Sequence, residues 1–160
     1  MFKRKVDEKF LKISQEHTLI LDYIVRFEDV LDKDASTGAV ADLTTILPSF
    51  EKDIEEHFLL EEQVLFPAAL TCLKDLDVID KVLLLQKEHG YFERDLEFIC
   101  RLVENHPDDV KKIPAECHQR LQAYTEALKE HARVEMEDVF AAMDKSRRCQ
   151  KLIEGLTSPA

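Results

Sequence analysis

Four histidines and two glutamates are the residues of this 160-residue chain best suited to chemistry: His17, His57, His89 and His131, with Glu61 and Glu135 each four positions after a histidine. At that spacing an imidazole and a carboxylate leave the same face of a helix, one turn apart. Mixed nitrogen and carboxylate donors suit Fe, Mn or Zn, whereas Ca and Mg favour all-oxygen cages. Six donors exceed what one tetrahedral Zn takes, and glutamates on neighbouring core positions can bridge two ions. The set therefore predicts a dinuclear centre. Taken singly, each residue has a plainer reading, because a lone seam histidine is commonly a hydrogen-bonded core residue and an HxxxE pair is commonly a surface ion pair. His106 and His118, in or beside a loop, fit that plainer reading.

The elements that must position these donors are helices. Gly is scarce at 3, Pro at 5, Trp is absent, and few runs alternate with period two. Turn signals fall at 34–38, 67–77 and 105–114, which leaves four long segments. Pro48 is expected to kink the second helix or to break it near Leu47. The four segments repeat apolar residues at alternating spacings of three and four, the narrow seam of helices packed nearly antiparallel. The seams read Phe10, Ile13, His17, Ile20, Ile24, Phe27, Leu31; then Leu43, Leu47, Phe50, Ile54, His57, Glu61, Val64, Ala68. The other two read Val78, Val82, Leu85, His89, Phe92, Leu96, Ile99, Val103; and Cys117, Leu121, Tyr124, Leu128, His131, Glu135, Asp138, Ala142. The expected fold is all-α, an up-down-up-down antiparallel four-helix bundle with a short C-terminal helix. It forms one domain over 1–160, with a core of about 8–143 and an extension over 144–160.

Each seam is apolar except near its middle, where it carries one histidine. A carboxylate buried there costs several kcal/mol unless paired or metal-bound, and no Lys or Arg occupies a seam position. The heights agree as well. His17 and His57 have their midpoint at residue 37, His57 and His89 at 73, His89 and His131 at 110, each inside a turn inferred independently. All four imidazoles are thus expected at one level of the bundle.

The order His17, then His57-Phe58-Leu59-Leu60-Glu61, then His89, then His131-Ala132-Arg133-Val134-Glu135 resembles the hemerythrin-like (HHE cation-binding) domain. The run Glu61-Glu62-Gln63-Val64-Leu65-Phe66-Pro67 is similar to that family's usual exit from its second helix, and the likeness extends over about 10–143. The resemblance implies a non-haem di-iron centre, two Fe ions (Fe2+/Fe3+) with an oxo or hydroxo bridge. His17 and His57 would bind one iron, His89 and His131 the other, and Glu61 and Glu135 would bridge them. Oxygen-carrying members place a second histidine one turn after the third-helix histidine, where this chain has Glu93. They also place an aspartate five residues after the fourth-helix histidine, where it has Met136. Glu93 shares a face with His89 by i+4 geometry and is a candidate ligand in place of the missing histidine, or else a flanking glutamate paired with a basic residue. As a ligand it would favour the ferric state and oxidation chemistry or sensing over storage. Gly90, costly within a helix, leaves room at the metal or makes a packing contact. Tyr124 lines the pocket or belongs to the core.

A net charge of −11 repels phosphate backbones and anionic headgroups, so nucleic acid and membrane surfaces are not expected partners. The basic clusters Lys3-Arg4-Lys5 and Arg147-Arg148 read as solvated termini. No apolar run spans a bilayer and no secretory signal is visible. Cys72, Cys100, Cys117 and Cys149 contain no CxxC pair and read as reduced thiols of a cytoplasmic protein. The expected partner is O2 or another small diatomic or peroxide ligand, bound for sensing, storage or scavenging, with any protein partner unidentified. The competing readings are a di-iron peroxidase or oxidase, a Zn-bound or metal-free interaction module, and a regulator of iron that folds only when loaded.

Overall fold

The computed structural model describes residues 2–33, 38–105 and 113–157, with side chains over 8–33, 38–105 and 113–152. The Lys3-Arg4-Lys5 side chains, residues 34–37 of the first turn, His106 with most of the third turn, and the side chains beyond 152 lie outside it. Among the described residues there are five helices and no strand. They are α1 (Phe2–Asp32), α2 (39–72), α3 (Leu76–Glu104), α4 (115–145) and α5 (Arg147–Thr157). Each of the first four packs on its sequence neighbours and α4 returns to α1, which closes the four-helix bundle. None is long and apolar enough to cross a membrane.

Local chemistry sets the ends. Gly38, at φ 117, opens α2 from the left-handed region that L side chains avoid. Asp75 caps α3 by accepting from the Asp77 N–H at 2.9 Å. Pro114 precedes α4, where a missing N–H costs nothing, and the Ser146 Oγ accepts from the Cys149 N–H to cap α5. Pro48 sits inside α2 with no break at Leu47.

The second turn is shorter than the sequence suggests. Helix α2 runs past Pro67 to Cys72, and only residues 73–75 are non-helical. The reason is a widened, π-helical turn at Glu61–Leu65, in which the Phe66 N–H reaches back five residues to the Glu61 carbonyl. Pro67 has no N–H to offer the carbonyl four residues earlier, and its ring would crowd that carbonyl. One extra residue in the turn relieves both problems. The expected helix exit at Glu61–Pro67 is therefore a bulge within a continuing helix. Helix α4 has a second such turn at Glu135–Phe140.

Both bulges advance the seam by one residue. Below Glu61 the inward positions are Leu65, Phe66 and Ala69 together with the expected Ala68, and below Glu135 they are Val139 and Met143. The expected Val64, Asp138 and Ala142 are half-buried instead. Asp138 turns outward to Lys81, 3.0 Å away.

The core divides into two apolar clusters. One contains Phe27, Phe50, Phe58, Phe92, Leu121 and their neighbours. The other contains Ile13, Leu65, Phe66, Val82, Met143 and Cys149, where α5 covers the end of the bundle. Cys72 and Cys149 are joined there by a disulfide, which corrects the expectation of four reduced thiols and removes that ground for a cytoplasmic location. Two cysteines with no motif and a separation of 77 residues meet only because α5 folds back. Cys100 and Cys117 are not part of a disulfide.

Candidate metal centre

Between the two apolar clusters lies a single polar layer. His17 comes from α1, His57 and Glu61 from α2, His89 from α3, and His131 and Glu135 from α4, all at most 4% exposed. Each carboxylate presents one oxygen to each side. Glu61 Oε2 lies 3.1 Å from His17 Nε2 and 3.3 Å from His57 Nε2, while its Oε1 lies 3.2 Å from His89 Nε2. Glu135 Oε1 lies 2.6 Å from His17 Nε2, and its Oε2 lies 3.4 Å from His131 Nε2. Two groups of donors result, His17-His57-Glu61-Glu135 and Glu61-His89-His131-Glu135, each with one ligand atom per residue within 4.8 Å of the others.

The outer edges of the rings are fixed by carboxylates the sequence reading did not identify. Glu16 lies 3.2 Å from His57 Nδ1, Glu62 3.0 Å from His89 Nδ1, and Glu88 2.7 Å from His131 Nδ1. An ionised carboxylate only accepts, so in each pair the Nδ1–H donates, and in the neutral ring the inward Nε2 then keeps its lone pair. A sequence signal existed: each of these glutamates adjoins a cluster residue in the chain, Glu16 before His17, Glu62 after Glu61, Glu88 before His89.

Aromatic side chains complete the walls. Phe58 stacks on His89 with centroids 3.8 Å apart, Phe92 meets His131 edge-on at 5.1 Å, and Phe140 meets His17 edge-on at 5.7 Å. Water is thereby kept off the imidazole faces.

Electrostatics follow from the burial. Desolvation alone would push the Glu61 carboxyl up, but the close imidazoles of His17, His57 and His89 together outweigh it and hold the group well below the usual carboxylate range. Burial pulls His131 down against the upward influence of Glu88, which favours the neutral, ligating imidazole.

Other expected residues lie elsewhere. Glu93 is exposed, beside a groove of about 400 Å³ that it shares with Glu51, Glu55, Glu97 and the edges of Phe58 and Phe92. This corrects its candidacy as a ligand. From His89 the inward position one turn on is i+3, taken by Phe92 at 5% exposure, and i+4 rotates Glu93 out toward solvent. Gly90 is exposed, and a Cβ there would touch nothing within 4 Å, so it makes no room at the centre. Tyr124 belongs to the apolar core, 5.4 Å from Phe92, and burial pushes its phenol up. His118 lines a separate groove between α1 and α4.

Whether the layer suits cations is read from its hydrogen bonding. Buried polar groups are nearly always satisfied. Here Glu61 Oε1, His89 Nε2, His131 Nε2 and both oxygens of Glu135 are buried with no hydrogen-bond partner. Glu135 Oε1 stays unsatisfied although His17 Nε2 is 2.6 Å away, and the hydrogen bond of that nitrogen is with Glu61 Oε2. Lone pairs converging on two common points are what metal ions satisfy.

No curated protein and no solved structure matches the chain. The family model described as Hemerythrin HHE cation binding domain matches residues 10–142, which contain all six cluster residues. A four-helix bundle with converging histidines and glutamates at its waist, carried on a sequence matched over most of its length, places the chain in the hemerythrin HHE cation-binding domain family.

Proposed function

We propose that the chain is a non-haem di-iron protein that binds O2 or a related small molecule, such as peroxide or NO, for sensing, storage or scavenging. One observation carries the reading: both donor groups share Glu61 and Glu135, each glutamate offering one oxygen to either group. Two adjacent cation positions with two imidazoles apiece and shared carboxylates suit a first-row metal pair, and iron is a member of that set with redox states that engage O2. A bound iron pair would supply the electrons and open coordination positions that such a ligand needs.

The chain's own part is positioning and exclusion. Glu16, Glu62 and Glu88 hold three imidazoles in the ligating tautomer. Phe58, Phe92 and Phe140 keep bulk water away. A groove of about 580 Å³ between α3 and α4, lined by Leu85, Phe92, Val134 and His131 together with charged side chains such as Lys81, Glu88 and Arg133, meets one side of the layer.

The test is metal content with visible spectroscopy. Aerobically purified protein is expected to hold about two Fe per chain and to show ferric charge-transfer absorption, as carboxylate-bridged iron pairs in bundles do. The absorption should bleach on reduction and return on exposure to O2. A colourless, fully helical protein holding Zn or no metal would sink the iron reading.

A further inference from the structure

The two halves of the bundle are copies of one plan. His17, His57 and Glu61 on α1 and α2 match His89, His131 and Glu135 on α3 and α4, and a widened turn follows each glutamate. The outer carboxylates obey the same plan up to a point. Glu16, before His17, serves His57 on the next helix; Glu88, before His89, serves His131 on the next helix. Glu62, after Glu61, serves His89. The fourth member would be the residue after Glu135, serving His17, and that residue is Met136. It is 43% exposed and lines the groove between α4 and α1 beside Leu21, while His17 meets the apolar edge of Phe140.

We infer that the two cation positions bind unequally, with the α3/α4 position (His89, His131) the tighter and the α1/α2 position (His17, His57) the looser. The inference rests on the two-cation part of the proposed function and not on iron. A carboxylate accepting from the outer N–H raises the basicity of the inner nitrogen and fixes its aim, and losing such a partner typically lowers metal affinity ~10–100-fold. The α3/α4 histidines both have one. Of the α1/α2 histidines only His57 does, and its partner Glu16 shares its charge with Lys12, 3.8 Å away. Glu16, Glu62 and Glu88 are therefore positioning residues that set the filling order. The outer position after Glu135 is a specificity-determining gap.

The experiment titrates metal-free protein with Co2+, whose visible bands report coordination. The parent chain should take up two Co2+ in steps separated ~10-fold or more. Glu88→Gln keeps the shape and an acceptor oxygen but removes the charge, and should weaken the tighter step alone by ~10–100-fold. Glu16→Gln should weaken only the looser step. Met136→Glu supplies the missing acceptor and should tighten the looser step with the Co2+ band pattern unchanged. A new band pattern would show direct ligation and overturn the assignment of that gap. Two indistinguishable steps in the parent, a single Co2+ per chain, or equal weakening of both steps by Glu88→Gln would overturn the inference. Metal-free circular dichroism confirms each fold, and if Glu88→Gln fails to fold, Met136→Glu on the exposed face decides. Protein purified without iron that still takes up Co2+ in two unequal steps would sink the iron reading and leave this one standing.

Discussion

Reduction of the Cys72–Cys149 disulfide is expected to destabilise the domain by about 2–4 kcal/mol, chiefly through its unfolded state. The bond closes a loop with a sequence separation of 77, for which chain entropy alone gives about 4.5 kcal/mol at 25 °C, an upper figure because unfolded chains keep residual structure. Both sulfurs are buried, Cys72 at 2% and Cys149 at 0% exposure, so the thiols of the reduced protein stay packed and the native fold should survive. With the urea dependence usual for a domain, about 1–3 kcal/mol per molar, the midpoint should fall by roughly 1–2 M. The assay is urea unfolding followed by circular dichroism, with and without a phosphine reductant. It is paired with thiol counting in unreduced, unfolded protein, where Cys100 and Cys117 should react and the other pair should not. Four reactive thiols, or a midpoint unmoved by reduction, would refute the reasoning.

Three further outcomes are expected. In metal-free protein, stability should fall in acid in two stages, because both perturbed groups hold folded values below their unfolded ones and so lose stability as pH falls. His131 begins near its unfolded value of 6.5, and Glu61 below its own of 4.5. Urea midpoints across pH should show both limbs, with the lower one diminished in Glu61→Gln. Phe58→Ala removes a side chain 2% exposed and stacked on His89, and should cost about 3–5 kcal/mol by thermal unfolding while weakening Co2+ uptake. Glu93→Gln should leave metal stoichiometry by elemental analysis unchanged, and a lost ion would return Glu93 to the ligand set.

Helical seams are readable wherever the period holds, and so the level of the four histidines could be inferred from turn midpoints. The pattern stops being readable where the backbone changes period. Val64, Asp138 and Ala142 were expected inward because an uninterrupted three-four spacing carries on through Glu61 and Glu135, and the widened turns reset it. Pro67 holds half of that information, since a proline that does not end a helix demands a bulge, but nothing in 135–140 marks the second one. Glu93 was misjudged for an angular reason: i+3 and i+4 share a broad face, and only the packing of Phe92 decides between them. The outer carboxylates serve histidines on other helices, so their place beside a cluster residue marks them as candidates without showing which imidazole each one meets. The disulfide depends on where α5 folds back, which is tertiary information.

The separation of the apolar interior into two clusters has a consequence for cooperativity. Apolar packing makes neighbouring layers fold together, but here the layer joining the clusters consists of imidazoles and carboxylates whose contacts are incomplete without cations. In the metal-free chain the two ends are coupled through helix backbone, ring contacts such as Phe58 and Phe66 on His89, and the outer carboxylate–imidazole hydrogen bonds. Each then forms its own unit of opening, the end bearing α5 tied by the disulfide and the other held by packing alone. Cations at the waist join the units by binding donors from all four helices at once, and they favour the closed state in proportion to their affinity. Slow amide exchange in the metal-free protein should therefore sort by cluster, and in the loaded protein it should merge into one class.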